Sequence, residues 1–228
     1  MAPNAYHGHL VSHEHSLMPG RPGPLFVFTV KADMRKILLP AAAALAVAGG
    51  LAAGAVQAKP VRYETDPSHT FVTFEVKHFN TSTVRARFDT VDGALTLDRE
   101  ARKGKADIVI DMASVSSGVP DFDKHLKTAD FFDVAKHPQA RFVGEDFRFE
   151  GDKLTAVTGK LTMLGKTIPV TLRGTSFNCY DQPVLKAPVC GGDFETTIKR
   201  SQWGMNWGIS MGVPDDVRLL VQIEAVRK

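Results

Sequence analysis

The groups in this chain that could do chemistry are its histidines, its two cysteines and several clustered hydroxyl and acidic side chains. His7, His9, His13 and His15 form a tract of the kind that takes up metal ions, but the stretch around them is rich in His, Pro and Gly and has no periodicity. His78, His125 and His137 show neither an i,i+4 nor a His-x-His spacing, so metal coordination lacks its usual frame and no metal is expected. Ser114, Ser116 and Ser117 have no Gly-x-Ser-x-Gly context for a nucleophile. Asp121, Asp123, Asp130 and Asp133 sit close in sequence, and an acid–base pair would need two carboxylates in a cleft, but helix capping and surface charge account for them more simply. Arg200, just ahead of Trp203 and Trp207, could meet a polar head group; pairing with a carboxylate such as Asp123 is the expectation. The chain therefore reads as non-enzymatic. An enzyme acting on a small apolar substrate is the alternative, and a filled-barrel stress or scaffold protein is a third reading.

The elements that must position these residues begin after an export signal. Met34-Arg35-Lys36 leads an apolar run from Ile37 to Val56, closed by Val56-Gln57-Ala58, small residues at the positions a signal peptidase reads. The run approaches the length of a membrane anchor, but its Pro40 and its small-residue exit favour a signal at 34–58, cleaved after Ala58. Residues 1–33 then read as a gene-model extension or a disordered leader. The folded domain is expected at 59–228, in the periplasm. Basic and acidic residues nearly balance from Lys59 on, and the formal charge of +3 belongs largely to the N-terminal part. That excludes a nucleic-acid footprint. Cys179 and Cys190 both fall in the exported part, where an even pair reads as a disulfide.

From Tyr63 the hydrophobic pattern has period two. Val72, Phe74, Val76 and His78 share one face, with His78 expected to be satisfied by a backbone carbonyl. Val84, Ala86 and Phe88 repeat the pattern, and Asp92-Gly93 and Lys103-Gly104 read as turns on either side of a strand at Ala94–Leu97. Ala106, Ile108 and Ile110 line the next strand. A short helix follows, capped by Asp121 or Asp123, carrying Leu126 and ending near Phe131 and Phe132. Strands resume at Phe142, Leu154–Met163, Ile168–Thr175, Phe194–Arg200 and Val217–Val226, with Asn178–Gly192 as a long excursion between the cysteines. About eight antiparallel strands with one helical insertion predict an all-β fold, a closed barrel.

The chain resembles the YceI-like family, polyisoprenoid-binding periplasmic proteins with a lipocalin-like barrel. The resemblance runs from about Tyr63 to Val226. It is carried by Asp66-Pro-Ser-His-Thr-x-Val-x-Phe-x-Val-x-His78, Val84-x-Ala-x-Phe88 and Asp123-Lys-His-Leu-Lys-Thr-Ala-Asp-Phe-Phe-Asp133. His137-Pro138, Phe142, Gly159-Lys-Leu-Thr162, Gly165-Lys-Thr-x-Pro-Val170 and Ile198-Lys-Arg-Ser-x-Trp-Gly204 complete it. Ala86 stands where Gly is commoner, and the Cys179–Cys190 excursion is an elaboration. The resemblance implies an eight-stranded lipocalin-like β-barrel whose interior holds an isoprenoid lipid or quinone, with no required cofactor. It also suggests a homodimer; transient membrane contact would suit a lipid carrier.

The candidate ligand-binding residues are the inward apolar set Val72, Phe74, Val76, Phe88, Ile108, Phe142, Leu161, Met163, Val170, Leu172, Leu219 and Val221. His78, Leu126, Phe131, Phe132 and Trp203 complete the candidates. Period two is the same for a packed core and for a ligand cavity, so both readings of this set stand at this point. Phe131 and Phe132 read equally as a lid over the barrel end or as a plug in it.

Overall fold

The computed structural model describes residues 59–228. The expected leader at 1–33 and signal peptide at 34–58 lie outside the described residues. The elements are β1 (Val61–Thr65), β2 (Phe71–His78), β3 (Ser82–Phe88), β4 (Val91–Asp98), β5 (Lys103–Asp111) and β6 (Val115–Ser116). They continue with α1 (Pro120–Leu126), β7 (Gln139–Glu150), β8 (Lys153–Met163), β9 (Lys166–Gln182), β10 (Ala187–Lys199) and β11 (Asp216–Arg227).

These strands make an eight-staved antiparallel barrel. β1 and β2 both pair with β11, Thr65 opposite Ala225 and Phe71 opposite Gln222, so they form one bent stave. β3 pairs with β2 and β4 with β1, which makes β3 and β4 a second bent stave. The order then runs β4, β5, β7, β8, β9, β10, β11, and the pairing of β11 with β1 and β2 closes the ring. Closure leaves no long unpaired edge. The short β6 pairs only with the end of β3 and leads into α1. β2, β5, β8 and β10 all finish at the end covered by α1 and by the segment 200–215, here called the cap end.

Alternation decides which side chains enter the barrel, and bulges correct the count where curvature demands it. β7 buries Ala140, Phe142 and Gly144 and then Phe147, because the register against β8 shifts between Gly144 and Asp146. A second shift, between Arg148 and Phe149, moves the buried positions of β8 from Leu154 to Val157, Gly159, Leu161 and Met163.

Four local expectations are corrected. Asp92-Gly93 is not a turn: it lies inside β4, where Gly93 lets the strand approach β5 so closely that a Cβ would sit 2.2 Å from the Asp107 carbonyl oxygen. Gly104 likewise lies inside β5, where the Phe147 ring occupies the place of a Cβ at 2.5 Å; the turn falls before it, at Arg102, whose φ is 53°. The 178–192 excursion is a long hairpin in which β9 and β10 keep pairing. Cys179 lies directly opposite Cys190, and the two are bonded. Finally, neither Asp121 nor Asp123 caps the helix. Val119 is the cap position and Pro120 opens the first turn, where its missing amide costs nothing. The Asp123 carboxylate instead accepts from the Ser117 amide (2.7 Å) and hydroxyl (2.5 Å), tying β6 to α1.

Candidate ligand-binding site

Inside the staves is an apolar cavity of about 630 Å³. That lies within the range of small-molecule sites, about 300–1,000 Å³. Side chains alone do not fill the barrel. Of the candidate residues, Val72, Phe74, Val76, His78, Phe88, Ile108, Leu126, Phe131, Phe132 and Phe142 line the cavity. Leu161, Met163, Val170, Leu172, Leu219 and Val221 line it too. Trp203 does not. Its side chain is 1 % exposed, and its indole N–H donates to the Leu161 carbonyl at 3.3 Å. It packs behind the wall.

The lower half of the cavity, away from the cap, is walled by Leu95, Leu97, Phe147, Leu154, Phe177 and Ile223. Its one buried hydroxyl, Thr70, is engaged with β11: it donates to the Glu224 carbonyl at 3.0 Å and accepts from the Glu224 amide at 3.2 Å. Nothing polar there is left seeking a partner. The Phe pair divides its work. Phe132 is buried against Phe74 and Phe88, with ring centroids 5.8 and 5.3 Å away, and plugs the gap between β2–β3 and the helix. Phe131 is half-buried and turns toward the mouth, against His125 (5.0 Å) and Trp207 (5.2 Å).

Every ionisable group on the cavity wall is basic and belongs to the cap end: Lys77, His78, His125 and Arg200. Among the described residues no carboxylate lines it. His78 is exposed at the mouth, its ring edge-on to Phe79 at 4.8 Å. It is not the carbonyl-satisfied core histidine expected from alternation, because β2 has run past the rim of the barrel there. His125 points its Nε2 at Asp130 Oδ2, 2.9 Å away.

Arg200 corrects a second expectation. Its side chain is 3 % exposed, and it pairs with backbone rather than with Asp123 or any other carboxylate. Nε donates to the Pro214 carbonyl (3.0 Å), Nη1 to those of Met205 (3.2 Å) and Trp207 (2.8 Å), and Nη2 to that of Val213 (3.4 Å). Burial draws the guanidinium below its ordinary pKa, partly offset by the charge of Asp215. At Asp215 burial pushes the carboxyl up, but hydrogen bonds from the Ser201 amide and hydroxyl outweigh it and hold the group below its ordinary range. Trp207, Met211 and Val213 escaped sequence reading because segment 200–215 has no periodicity; its glycines at 204, 208 and 212, all left-handed, were the signal available.

One further constellation carries the residue types of a catalytic triad. Ser68 Oγ lies 2.6 Å from Asp66 Oδ1 and 3.0 Å from His69 Nδ1, and the same Nδ1 lies 2.8 Å from Asp66 Oδ2. A triad histidine needs one nitrogen for the serine and the other for the carboxylate. Here a single nitrogen faces both, in an exposed turn outside the cavity. The geometry is that of a turn. The Asp66 carboxylate, held low first by its bond from Ser68 and then by His69, raises the pKa of His69 in return.

A closed eight-stranded antiparallel barrel with an apolar cavity, and basic wall groups at one end of it, defines a lipocalin-like barrel. A YceI-like domain matches residues 63–225. The chain belongs to the YceI-like family. It is 30 % identical over 188 residues to a protein of Pseudomonas aeruginosa strain PAO1, covering 82 % of this chain and 97 % of that one. The crystal structure of Burkholderia cenocepacia BcnA superposes with a TM-score of 0.58 at 24 % identity, over 71 % of this chain and 99 % of BcnA. A polyisoprenoid-binding domain from Saccharophagus degradans, implicated in plant cell wall breakdown, shares the fold with a TM-score of 0.55 at 16 % identity, over 74 % and 99 %.

Proposed function

We propose that the barrel holds one isoprenoid-type chain, of a polyprenol derivative or a quinone, and carries, stores or shelters it in the periplasm. The observation that carries this reading is the polarity of the cavity: about 630 Å³ of apolar space, with the ionisable wall groups found among the described residues gathered at the cap end. A branched hydrocarbon tail fits the lower part. Each Å² of apolar surface it removes from water contributes about 25 cal/mol. The head group then sits beside Lys77, His78, His125 and Arg200. The cavity also weighs against the filled-scaffold reading. Side chains alone leave about 630 Å³ of the interior open, which a filled barrel would not show. The periplasmic setting is supported by the export signal read at 34–58 and by the Cys179–Cys190 bridge, a bond that persists in oxidising compartments.

The test is native mass spectrometry of residues 59–228 purified from the periplasm without detergent, followed by solvent extraction. A stoichiometric adduct of isoprenoid mass is expected. A mass left unchanged by added quinones and polyprenols would return the barrel to the scaffold reading.

A further inference from the structure

Three of the large apolar side chains exposed on this domain stand around the mouth of the cavity. Phe79 is 51 % exposed, Trp207 39 % and Met211 58 %, and all three also line the cavity. The apolar interior therefore continues onto the outer surface of the cap end, between the basic groups of the rim.

Backbone geometry places them there against local preference. Phe79 and Asn80 are the two central residues of the β2–β3 hairpin, closed by the Thr81 amide on the His78 carbonyl at 2.9 Å, with φ of 48° and 57°. Both positions favour Gly or Asn, and a bulky side chain there is strained. With half of its ring in water, packing within the barrel offsets little of that strain. Across the mouth, Gly208 (φ 75°) and Gly212 (φ 96°) bracket the turn that presents Met211. Trp207 is held by its own carbonyl on Arg200 and by edge contacts to His125 at 4.9 Å. The rim is a built platform.

We infer that Phe79, Trp207 and Met211 dip into the surface of a phospholipid bilayer, docking the open mouth on the membrane so that the cargo passes between lipid and barrel without crossing water. This rests on reading the cavity as a lipid site. A bilayer fits better than a protein partner because a folded surface covering the rim would seal the mouth, whereas a fluid apolar phase covers it and stays continuous with the cavity. Trp207 carries the amphipathic ring that is enriched at membrane–water interfaces, and Phe79 and Met211 add apolar surface beside it. The charges at this end agree. Lys124 pairs with Asp121 and Lys136 with Asp133, and the carboxylates of Asp123 and Asp215 are turned to Ser117 and Ser201, while Lys77 and Lys127 make no ion pair among the described residues and are free to meet anionic head groups.

Tryptophan quenching tests this directly, because Trp203 is buried and only Trp207 can meet lipid. The barrel closes wholly within residues 59–228, so that segment is mixed with phosphatidylcholine–phosphatidylglycerol vesicles carrying brominated acyl chains. Quenching and co-sedimentation with the vesicles are expected. Phe79→Ser combined with Met211→Ser should lower the partition coefficient at least tenfold without losing the β-sheet circular dichroism. Absence of both quenching and sedimentation in the unsubstituted chain overturns the proposal, and so does equal partitioning of the double variant. It also falls if vesicles have no effect and the double variant abolishes concentration-dependent self-association instead, since the rim would then join two copies. Quenching without any isoprenoid adduct in the mass spectrum would uphold docking and refute the cargo reading alone.

Discussion

Arg200 Nη1 donates to the carbonyl oxygen of Trp207 at 2.8 Å, so a cation at the end of β10 holds the residue that edges the cavity mouth. Three more carbonyls of the same segment, those of Met205, Val213 and Pro214, accept from the one guanidinium. A planar fork with five donors can serve four carbonyls at once; an ammonium with three cannot. Arg200→Met leaves these carbonyls without their donor, each worth about 1–3 kcal/mol where water does not replace it. The expected loss is about 3 kcal/mol in a urea melt, with Arg200→Lys recovering only part of it. A loss below about 0.5 kcal/mol in both variants would show that water replaces the guanidinium freely.

Outside the barrel, five charges of alternating sign cross five neighbouring strands: Arg85, Glu75, Arg218, Glu195 and Arg173. Arg85 Nε meets Glu75 at 2.7 Å and Arg218 Nη1 meets it at 3.0 Å; Arg218 also reaches Glu195, which pairs with Arg173. The hydrogen bond from Arg85 is the main cause that holds Glu75 below its ordinary pKa of 4.5, helped by Arg218 and opposed by burial. A depressed carboxylate stabilises the fold above its unfolded pKa, and that stabilisation is lost as pH falls through the folded one. The arginines are half in water, so the effect is discounted to about 1 kcal/mol or less. Glu75→Gln should therefore melt earlier than the parent at pH 7 and alongside it near pH 3. A difference that persisted undiminished in acid would assign the effect to packing.

Val170 faces the cavity across from Gly159, which has no side chain to meet it. In a filled core, enlarging such a residue costs about 1–3 kcal/mol. Val170→Phe should instead leave the melting temperature within a few degrees of the parent, while lowering the amount of isoprenoid extracted per barrel. A steep loss of stability would mean that the interior is packed solid.

The Cys179–Cys190 bond spans 11 residues of a hairpin that also pairs through its backbone. Closing a loop of this size restricts the unfolded chain by about 3 kcal/mol. Reduction should lower the urea midpoint accordingly and leave ligand extraction intact, since the bridge lies at the end opposite the basic groups. Loss of cargo on reduction would place the hairpin in the binding path.

The sequence by itself determined the strands, their inward faces and the ring they close. A side chain's face follows from counting by two, and the count holds at Val72, Phe74 and Phe88, and at Ile108 and Ile110, until β2 runs past the rim at His78. It fails where geometry is set by neighbours far along the chain: Gly93 and Gly104 read as turn residues, yet each answers to the strand or ring beside it. Whether the apolar set encloses space or fills it depends on the barrel's radius, which no single strand contains; only the tertiary structure decided for a cavity. It also decided the fate of Arg200 and Trp203. Their types and spacing allowed a head group, a carboxylate or a ligand contact, but partners for a buried donor are whatever carbonyls the fold brings near: those of the aperiodic segment that follows for Arg200, and that of Leu161 in β8 for Trp203.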